Sequence, residues 1–366
     1  MRRCVTAVVC LLILAGCEIS HVNPDQTVVI SGRALTATGA PLSDVQVHLF
    51  KEVDFGEFVF GATAALGSLG TVCLLPSAPA ICHKGFEATT SADGSYRFTI
   101  KGSDTQGMIR ELSTLDLVFA DPKSASSPST ATLRFKAKTT SVQLPTARLW
   151  DSGLRVAEGR STIDLSWHAL KGATYAVQLI DRAQGISLWM QPASGASAHV
   201  DARVLEDATA DAAVTARVSL GNDVNAVYLS RRGPVRPVSG APPSRHAACS
   251  ALTGTTHLVA AKQITCGATN GDLTTPSRLT ATTGGAVTGV VVTLPQARPI
   301  ALIVARGLTG SVLVEVSVNG TAWRRVSASS AATVAVQPAG RPQARFVRVR
   351  SVNGLDESTL TEVSVW

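Results

Sequence analysis

Residues 311–320 read SVLVEVSVNG, and this short stretch decides the fold class of the chain. Valine occupies every second position from Val312 to Val318, and Glu315 and Ser317 lie on the opposite side. A period of two is typical of a β-strand with one buried face. The Asn-Gly pair that ends the stretch is the strongest two-residue hairpin signal. The stretch therefore predicts an antiparallel strand pair.

The same alternation recurs elsewhere in the chain, where apolar side chains again take every second position. Only 16% of the residues are charged, and Ala, Val, Thr, Ser and Gly are abundant, which favours strands and turns over long helices. A length of 366 residues suggests two or three domains. We therefore predict an all-β chain of antiparallel strands in two or three domains, and the resemblances described below imply three consecutive antiparallel β-sandwich domains. The clearest alternating segments are residues 45–49, 95–100, 163–167 and 175–179.

The N-terminus has the three-part layout of a secretory signal. Residues 1–3 are MRR, residues 5–14 are mostly apolar, and small residues follow. An apolar core of about ten residues is too short to span a bilayer, which needs roughly twenty. The segment is therefore predicted to be removed rather than kept as a membrane helix.

The signal ends on LAGC at residues 14–17, which resembles the lipobox of bacterial lipoproteins. The resemblance implies that residues 1–16 are cleaved, that Cys17 carries lipid, and that residues 17–27 form a lipidated tether. Two or more acyl chains anchor a protein firmly, so a membrane is the predicted partner at this end. Glu18 stands where the best-known sorting rule places Asp for inner-membrane retention. It therefore favours the outer membrane of a Gram-negative bacterium.

Four cysteines remain once the signal and the lipid site are set aside. An even number of cysteines in an exported chain predicts disulfides. Three pairings are possible, and the local one keeps each bridge inside one predicted domain. No CxxC motif occurs, so a zinc site is not favoured. The favoured pairs are Cys73–Cys82 and Cys249–Cys266.

Residues 28–143 form the first predicted domain. The segments ISGRALTATGAPLSDVQVHLF at 30–50 and TTSADGSYRFTI at 89–100 combine alternating strands with Gly-containing turns. Together they resemble the carboxypeptidase regulatory-like family. The resemblance implies a prealbumin-like, seven-stranded sandwich that serves as a structural and binding module without catalytic residues.

An apolar insertion at residues 55–82 interrupts this domain, and Glu57 is its only charged residue. The insertion is too rich in Gly and Pro for a membrane-spanning helix, and the proposed Cys73–Cys82 bridge would close it. Two interpretations remain open. The insertion either covers one sheet face as a small helix or flap, or exposes an apolar patch to lipid or a partner.

Residues 144–238 form the second predicted domain. The segment STIDLSWHALKGATYAVQLID at 161–181 resembles the second and third strands of a fibronectin type III domain. The resemblance implies that Trp167 packs in the core beneath Tyr175. Trp189 fits either a surface aromatic for a sugar or a core position, and the core is favoured.

Residues 239–366 form the third predicted domain, which resembles a discoidin domain with a galactose-binding-like jelly-roll sandwich. The resemblance rests on the segment at 306–326 around the quoted stretch, on ARFVRVRS at 344–351 and on LTEVSVW at 360–366. In the preceding half of the domain, only GDL at 271–273 matches the family. The resemblance therefore implies a binding sandwich and identifies no ligand-binding residues.

The sequence lacks the local signatures of catalysis, namely HExxH, GxSxG, a P-loop, GxGxxG and SxxK. None of its seven histidines has metal-ligand spacing. We therefore predict no enzyme, no catalytic residue, no metal and no cofactor. The formal net charge is +7 without a run of five or six like charges, so nucleic acid is not a predicted partner.

Three functions remain open. The favoured one is a binding or adhesion lipoprotein whose third domain presents a carbohydrate- or envelope-binding sandwich. Trp323 and Arg348 are candidate contacts, although their strand positions favour core packing for Trp323 and a structural ion pair for Arg348. The second is a structural subunit of an envelope complex that docks through residues 55–82. The third is an enzyme whose site is assembled from distant residues.

Overall fold

The structure, a computed structural model, describes most residues from 22 onward. Regular structure in the described parts consists of strands and three short 3-10 turns, Gly102–Thr105, Ala202–Leu205 and Gly267–Thr269. The predicted all-β class is confirmed. The described residues are 22–23, 25–51, 85–105, 114–120, 129–137, 139–159, 161–185, 187–221, 223–236, 240–253, 257–258, 267–275, 277, 287–308, 311–329, 333–351 and 360–366.

Two layers of strands form the first third of the chain. Its strands are β1 (Thr27–Leu35), β2 (Gln46–Lys51), β3 (Phe86–Thr89), β4 (Ser95–Lys101), β5 (Thr114–Ala120), β6 (Thr130–Lys136), β7 (Ser141–Gln143) and β8 (Ala147–Arg148). In one layer β1 pairs antiparallel with β4 and parallel with β7 and β8. The other layer has the order β6-β5-β2-β3. Tyr96, Phe98 and Ile100 on β4 are buried between the layers, as their alternation predicts.

Two layers also form the second third of the chain. Its strands are β9 (Arg155–Glu158), β10 (Thr162–Ser166), β11 (Thr174–Asp181), β12 (Ser187–Ala193), β13 (Ser197–Asp201), β14 (Ala210–Gly221), β15 (Val224–Leu229) and β16 (Gly233–Val235). One layer is β13-β10-β9. The other has the order β12-β11-β14-β15, with β16 also beside β14.

The first two sandwiches share one sheet. Strands β15 and β6 pair antiparallel, from Leu229 opposite Thr130 to Asn225 opposite Arg134. This pair joins a layer of each sandwich into a nine-stranded sheet. The sequence pattern does not predict the pair, because alternation within a strand carries no information on a partner strand far away in the chain.

An aromatic group fills the core of the second sandwich. Trp167 and Tyr175 are buried, with ring centroids 5.5 Å apart, which confirms the predicted packing. Trp150 also belongs to this group, with its ring centroid 6.1 Å from that of Tyr175. The Tyr175 hydroxyl accepts from the Leu170 N–H and donates to the Leu170 carbonyl. Trp189 is only 4% exposed, so the core interpretation of this tryptophan is confirmed.

The last third of the chain is a separate pair of sheets. Its strands are β17 (Ala248–Thr253), β18 (His257–Leu258), β19 (Val287–Pro299), β20 (Ile303–Arg306), β21 (Val312–Ser317), β22 (Arg324–Ser329), β23 (Thr333–Val336), β24 (Gln343–Ser351) and β25 (Val363–Val365). One sheet is β18-β17-β19-β24-β21-β22, and the other is β23-β20-β25. Valines of both sheets form the core between them.

The stretch quoted at the outset forms β21 and the start of the loop to its antiparallel partner β22. Val312, Val314 and Val316 are buried in the core, as predicted. Val318 is 56% exposed, so its predicted place on the apolar face is wrong. The loop is also longer than a two-residue turn, because the Asn319 side chain accepts hydrogen bonds from the two N–H groups at 321 and 322. The strand therefore ends before Val318 reaches the core.

Candidate functional site

Several predicted site residues lie outside the described residues. This holds for the lipidation site Cys17, for the insertion at 55–82 with Cys73 and Cys82, and for Cys266. Cys249 is described, and it is buried on β17. Lipidation and the disulfide pairing therefore stay predictions.

The outer face of the six-stranded sheet gathers charged side chains around one carboxylate. We call it the arginine face (Glu315, Trp323, Arg325, Arg348 and Arg350). In the strand register, Glu315 on β21 lies between Arg348 on β24 and Arg325 on β22. Side chains alternate across a sheet, so residues that flank the buried valines of β21 and β24 point away from the core. Strand pairing therefore places residues from three strands on one surface.

Glu315 organises this face through two hydrogen bonds. The Nε atoms of Arg348 and Arg350 each donate to its Oε2 at 2.8 Å. Although burial of the carboxyl raises the pKa of Glu315, the hydrogen bonds from Arg350 and Arg348 hold it below its ordinary value. The carboxylate is therefore charged at neutral pH and fixes both guanidinium groups. The predicted structural ion pair of Arg348 is confirmed.

Trp323 covers one side of this group. The guanidinium carbon of Arg348 lies 4.1 Å from the centroid of the Trp323 ring, which is a cation–π contact. Trp323 is half-buried and precedes β22, so its predicted packing in the core is wrong. It lies on the outer face because the longer loop at 318–323 delays the start of β22.

The arginine face carries a net charge of +2. It contains three arginines and one glutamate. Arg348 and Arg350 share the carboxylate of Glu315, whereas Arg325 is exposed without an ion pair among the described residues. Guanidinium groups bind carboxylate and phosphate groups through two parallel hydrogen bonds. The aromatic ring adds a flat apolar surface with a polar edge. This combination can bind a polar ligand at the surface, and it has no nucleophile.

A second group of charged side chains lies buried where the second and third sandwiches meet. We call it the buried charge cluster (Glu206, Arg245, Arg306, Glu362 and Ser364). Glu206 is fully enclosed, and its Oε2 accepts from Arg245 Nη2 at 2.7 Å. Its Oε1 accepts from the Ser364 hydroxyl and lies 3.5 Å from Arg306 Nη1. One carboxylate from the second sandwich thus holds three groups from the third.

The main chain and apolar side chains strengthen the same junction. Glu206 directly follows the 3-10 turn Ala202–Leu205, and Arg306 Nη2 donates to the Val204 carbonyl in that turn. Leu302 and Val304 of the third sandwich pack in the hydrophobic core of the first two. The buried charge cluster therefore fixes the third sandwich onto the second.

Glu362 has the most perturbed carboxyl in the cluster. Burial, together with the negative charge of Glu206, raises its pKa to about 8. Its Oε2 accepts from the Gly271 N–H at 3.2 Å, whereas its Oε1 has no hydrogen-bond partner among the described residues. Arg245 also pairs with the carboxylate of Asp207, next to the cluster. With Glu362 protonated at neutral pH, the positive charges of Arg245 and Arg306 balance the negative charges of Glu206 and Asp207.

The sequence analysis misses this cluster because its members are far apart in the chain and form no local motif. The sequence does contain a weaker indication that two of its members are buried. Arg306 ends the apolar run IALIVAR at 300–306, and Glu362 stands beside the apolar strand β25. A charge next to a fully apolar run needs a buried partner. That rule indicates burial, but it does not identify the partner.

Two further searches cover the described residues only. No group of three or more His, Cys, Asp or Glu side chains there is arranged to hold a metal ion. No helix among them has the length and apolar character needed to cross a membrane.

Comparisons with known proteins add solved structures of low similarity. No protein-family model matches the chain, and no curated protein matches it. A CBM32 module from Clostridium perfringens, in complex with GalNAc-beta-1,3-galactose, is 14% identical, with a TM-score of 0.27 over 35% of this chain and 99% of that chain. A DUF3823 family protein from Parabacteroides merdae is 12% identical, with a TM-score of 0.21 over 56% and 98%.

A third structure is CBM32-3 from a family 31 glycoside hydrolase of Clostridium perfringens. It is 12% identical, with a TM-score of 0.24 over 32% of this chain and 90% of that chain. Similarity at this level assigns neither a ligand nor an activity to this chain.

Proposed function

We propose that this chain is a lipid-anchored, non-catalytic binding protein whose third sandwich holds a carbohydrate of the cell envelope. The observation that carries the proposal is the arginine face, where Trp323 and Arg348 are stacked and Arg348 is fixed by Glu315. A preorganised aromatic and charged surface loses little side-chain freedom when it binds a ligand. The discoidin-like sequence of residues 306–326 supports the same assignment.

The anchor in this proposal is the lipid on Cys17. The lipobox-like LAGC at 14–17 supports it, and Glu18 supports placement in the outer membrane. We expect Cys17→Ser to move the protein from the membrane fraction to the soluble fraction. Retention in the membrane fraction would contradict the proposed anchor.

The arm between anchor and binding face consists of the first two sandwiches. Their shared sheet and the buried charge cluster support a rigid arm, because neither junction depends on a flexible linker. The proposed bridge Cys73–Cys82 would stabilise the arm further, and Cys249–Cys266 would stabilise the third sandwich. Non-reducing peptide mapping tests that pairing.

The absence of every searched catalytic motif in the sequence supports a binding role rather than an enzymatic one. In this proposal the alternating strands supply a scaffold, and their outer face supplies the contacts. Incubation of the protein with the polysaccharides that it binds should leave their chain lengths unchanged.

The proposed function is tested by polysaccharide binding to the soluble chain from residue 18 onward. We expect binding to envelope polysaccharides, and about a tenfold loss in Trp323→Ala, because the ring positions Arg348, and loss of one central contact costs more than 1 kcal/mol in many interfaces. Met190→Ala is the matched control, since Met190 is 48% exposed on the second sandwich. Equal binding by both variants would remove the arginine face from the proposal.

A further inference from the structure

The positive charge of this chain is concentrated in one segment. Residues 287–351 contain eight arginines, no lysine and a single acidic residue, Glu315. The rest of the chain is left with 25 basic and 25 acidic residues out of the 33 and 26 in total. The net charge of this one segment, +7, therefore equals the formal net charge of the whole chain. The eight arginines are Arg298, Arg306, Arg324, Arg325, Arg341, Arg345, Arg348 and Arg350.

Most of these arginines are available to solvent. Arg306 is enclosed in the buried charge cluster, whereas Arg324, Arg325, Arg341 and Arg345 are exposed. Along the arginine face the side chains of Arg348 and Arg350 keep 17% and 29% of their surface exposed. Glu315 is shared by both, so it neutralises only one of their two charges.

We infer that the arginine face binds an acidic polysaccharide, a polymer that carries repeated carboxylate, phosphate or sulfate groups. The inference rests on the proposed function, since it specifies the class of carbohydrate held by the same face. All of the basic residues here are arginines, whose planar fork matches the oxygens of such groups, whereas lysine acts as a point charge.

The spacing of the charges favours a polymer over a small anion. Arg348 and Arg325 lie on strands separated by β21, so their backbones are two strand spacings apart, or about 10 Å. A single carboxylate or phosphate would contact both guanidinium groups only if Arg325 reached across β21, because Arg348 is held in place by Glu315 and Trp323. A chain with repeated negative groups can contact both, and each further contact is intramolecular and raises the total affinity.

The state of Trp323 argues against single-stranded nucleic acid. Proteins that bind single strands stack bases on open aromatic faces. Trp323 is half-buried, and the guanidinium of Arg348 lies over its ring. The ring therefore positions Arg348 rather than receiving a base.

The test uses the soluble chain from residue 18 onward, with dextran sulfate and neutral dextran of equal length as probes. We expect dextran sulfate to bind at least about tenfold more tightly than neutral dextran, and its affinity to fall as salt rises, because charged contacts release counterions. We expect Arg325→Glu to weaken dextran sulfate binding by about tenfold, since it replaces an attraction by a repulsion.

Arg217→Glu is the matched control. It makes the same change of charge at an exposed position on β14 of the second sandwich. Arg325→Gln removes the charge without placing a second carboxylate beside Glu315, and serves if Arg325→Glu fails to fold. Binding that falls equally in the Arg325 and Arg217 variants would overturn the inference, because net charge rather than this face would then be responsible.

The remaining outcomes separate the inference from the proposed function. Equal binding of dextran and dextran sulfate, lost in Trp323→Ala, would retain a carbohydrate-binding face and overturn its acidic specificity. Binding of neither probe, and of no envelope polysaccharide, would overturn both. Tighter binding of duplex DNA or of phosphatidylglycerol vesicles, with the same sensitivity to Arg325→Glu, would assign the face to another class of partner and overturn the inference.

Discussion

Glu206 and Glu315 are both buried carboxylates that hold two arginines, but the second arginine of each pair differs in its exposure to solvent. Glu206 is fully enclosed at the junction of two sandwiches, with Arg306 only 3% exposed beside it. Glu315 lies beneath an open sheet face, where Arg350 keeps 29% of its side-chain surface in contact with solvent. The same combination of glutamate and arginines therefore occurs once inside the junction between two sandwiches and once on the outer face of a sheet.

The difference shows how burial decides the role of an ion pair. A buried charge that loses its partner remains desolvated, so removal of one member of the pair is costly. A charge at the surface is hydrated when unpaired, so the same removal costs little. The buried charge cluster can therefore hold domains together, whereas the arginine face can exchange water for a ligand.

The largest expected effect is that of Glu206→Gln. At pH 6 we expect it to lower the free energy of unfolding by about 3–5 kcal/mol, because the buried Arg306 loses its ion-pair partner, although Arg245 keeps Asp207. Urea unfolding measures the change, with Arg217→Gln as an exposed control that should stay within about 0.5 kcal/mol of the wild type. A loss below about 1 kcal/mol would show that the arginines do not depend on Glu206.

The next effect is a pH dependence caused by Glu362. The folded protein keeps a proton on this carboxyl up to a pKa of about 8, whereas the ordinary value is 4.5. Stability therefore falls as pH rises from 4.5 through 8, by about 2 kcal/mol between pH 6 and pH 8. Glu362→Gln should remove this slope, because an amide does not titrate in this pH range. Its side-chain oxygen can still accept the hydrogen bond from the Gly271 N–H.

The slope of the variant is compared with that of the wild type in urea unfolding at five or six pH values. Asp207→Asn is the control: the hydrogen bond from Arg245 lowers the pKa of Asp207, so this carboxyl titrates only in acid and the slope between pH 6 and pH 8 should remain in the variant. Parallel profiles of the wild type and Glu362→Gln would show that this carboxyl does not titrate in the window.

A smaller effect is expected on the arginine face. Arg348→Ala should cost about 1 kcal/mol of stability, since it removes one ion pair and a cation–π contact, while Glu315 keeps its hydrogen bond from Arg350. In a double-mutant cycle with Trp323→Ala, the coupling energy should be about 0.5–1 kcal/mol. A coupling of zero would show that the stacked geometry contributes no stability to the folded protein.

The smallest effect is expected for His199, whose ring pairs with Asp164 on the surface of the second sandwich. The His199 side chain is 81% exposed, so solvent screens the pair despite the close contact. His199→Ala should change stability by no more than about 0.5 kcal/mol. A loss comparable to that of Glu206→Gln would break the rule that burial, rather than distance, sets the cost.

The parts of the fold that follow from local alternation are predictable from the sequence. Val312, Val314 and Val316 are buried because a strand has two faces and only one of them meets the core. Val318 continues the pattern and is nevertheless exposed, because the Asn319 side chain forms a loop that ends the strand first. Alternation therefore predicts the face of a residue but not the end of the strand.

The candidate site is less predictable than the fold. The ion pair of Arg348 follows from its outward position on a strand, whereas its contact with Trp323 depends on the length of one loop. The link between Glu206 and Arg306 depends on two sandwiches that meet at residues 100 positions apart. Such contacts are set by tertiary structure and leave only an isolated charge in the sequence.

The shared sheet has a consequence for how this chain is made. Strand β6 ends at Lys136, and its partner β15 begins at Val224, about 90 residues later. Because synthesis starts at the N-terminus, β6 forms before β15 exists. Until then β6 is the edge strand of an incomplete sheet, and its unpaired backbone groups can pair with strands of other chains. The first sandwich is therefore exposed to misassembly until nearly all of the second has been synthesised, and a chain truncated before residue 224 keeps that vulnerable border permanently.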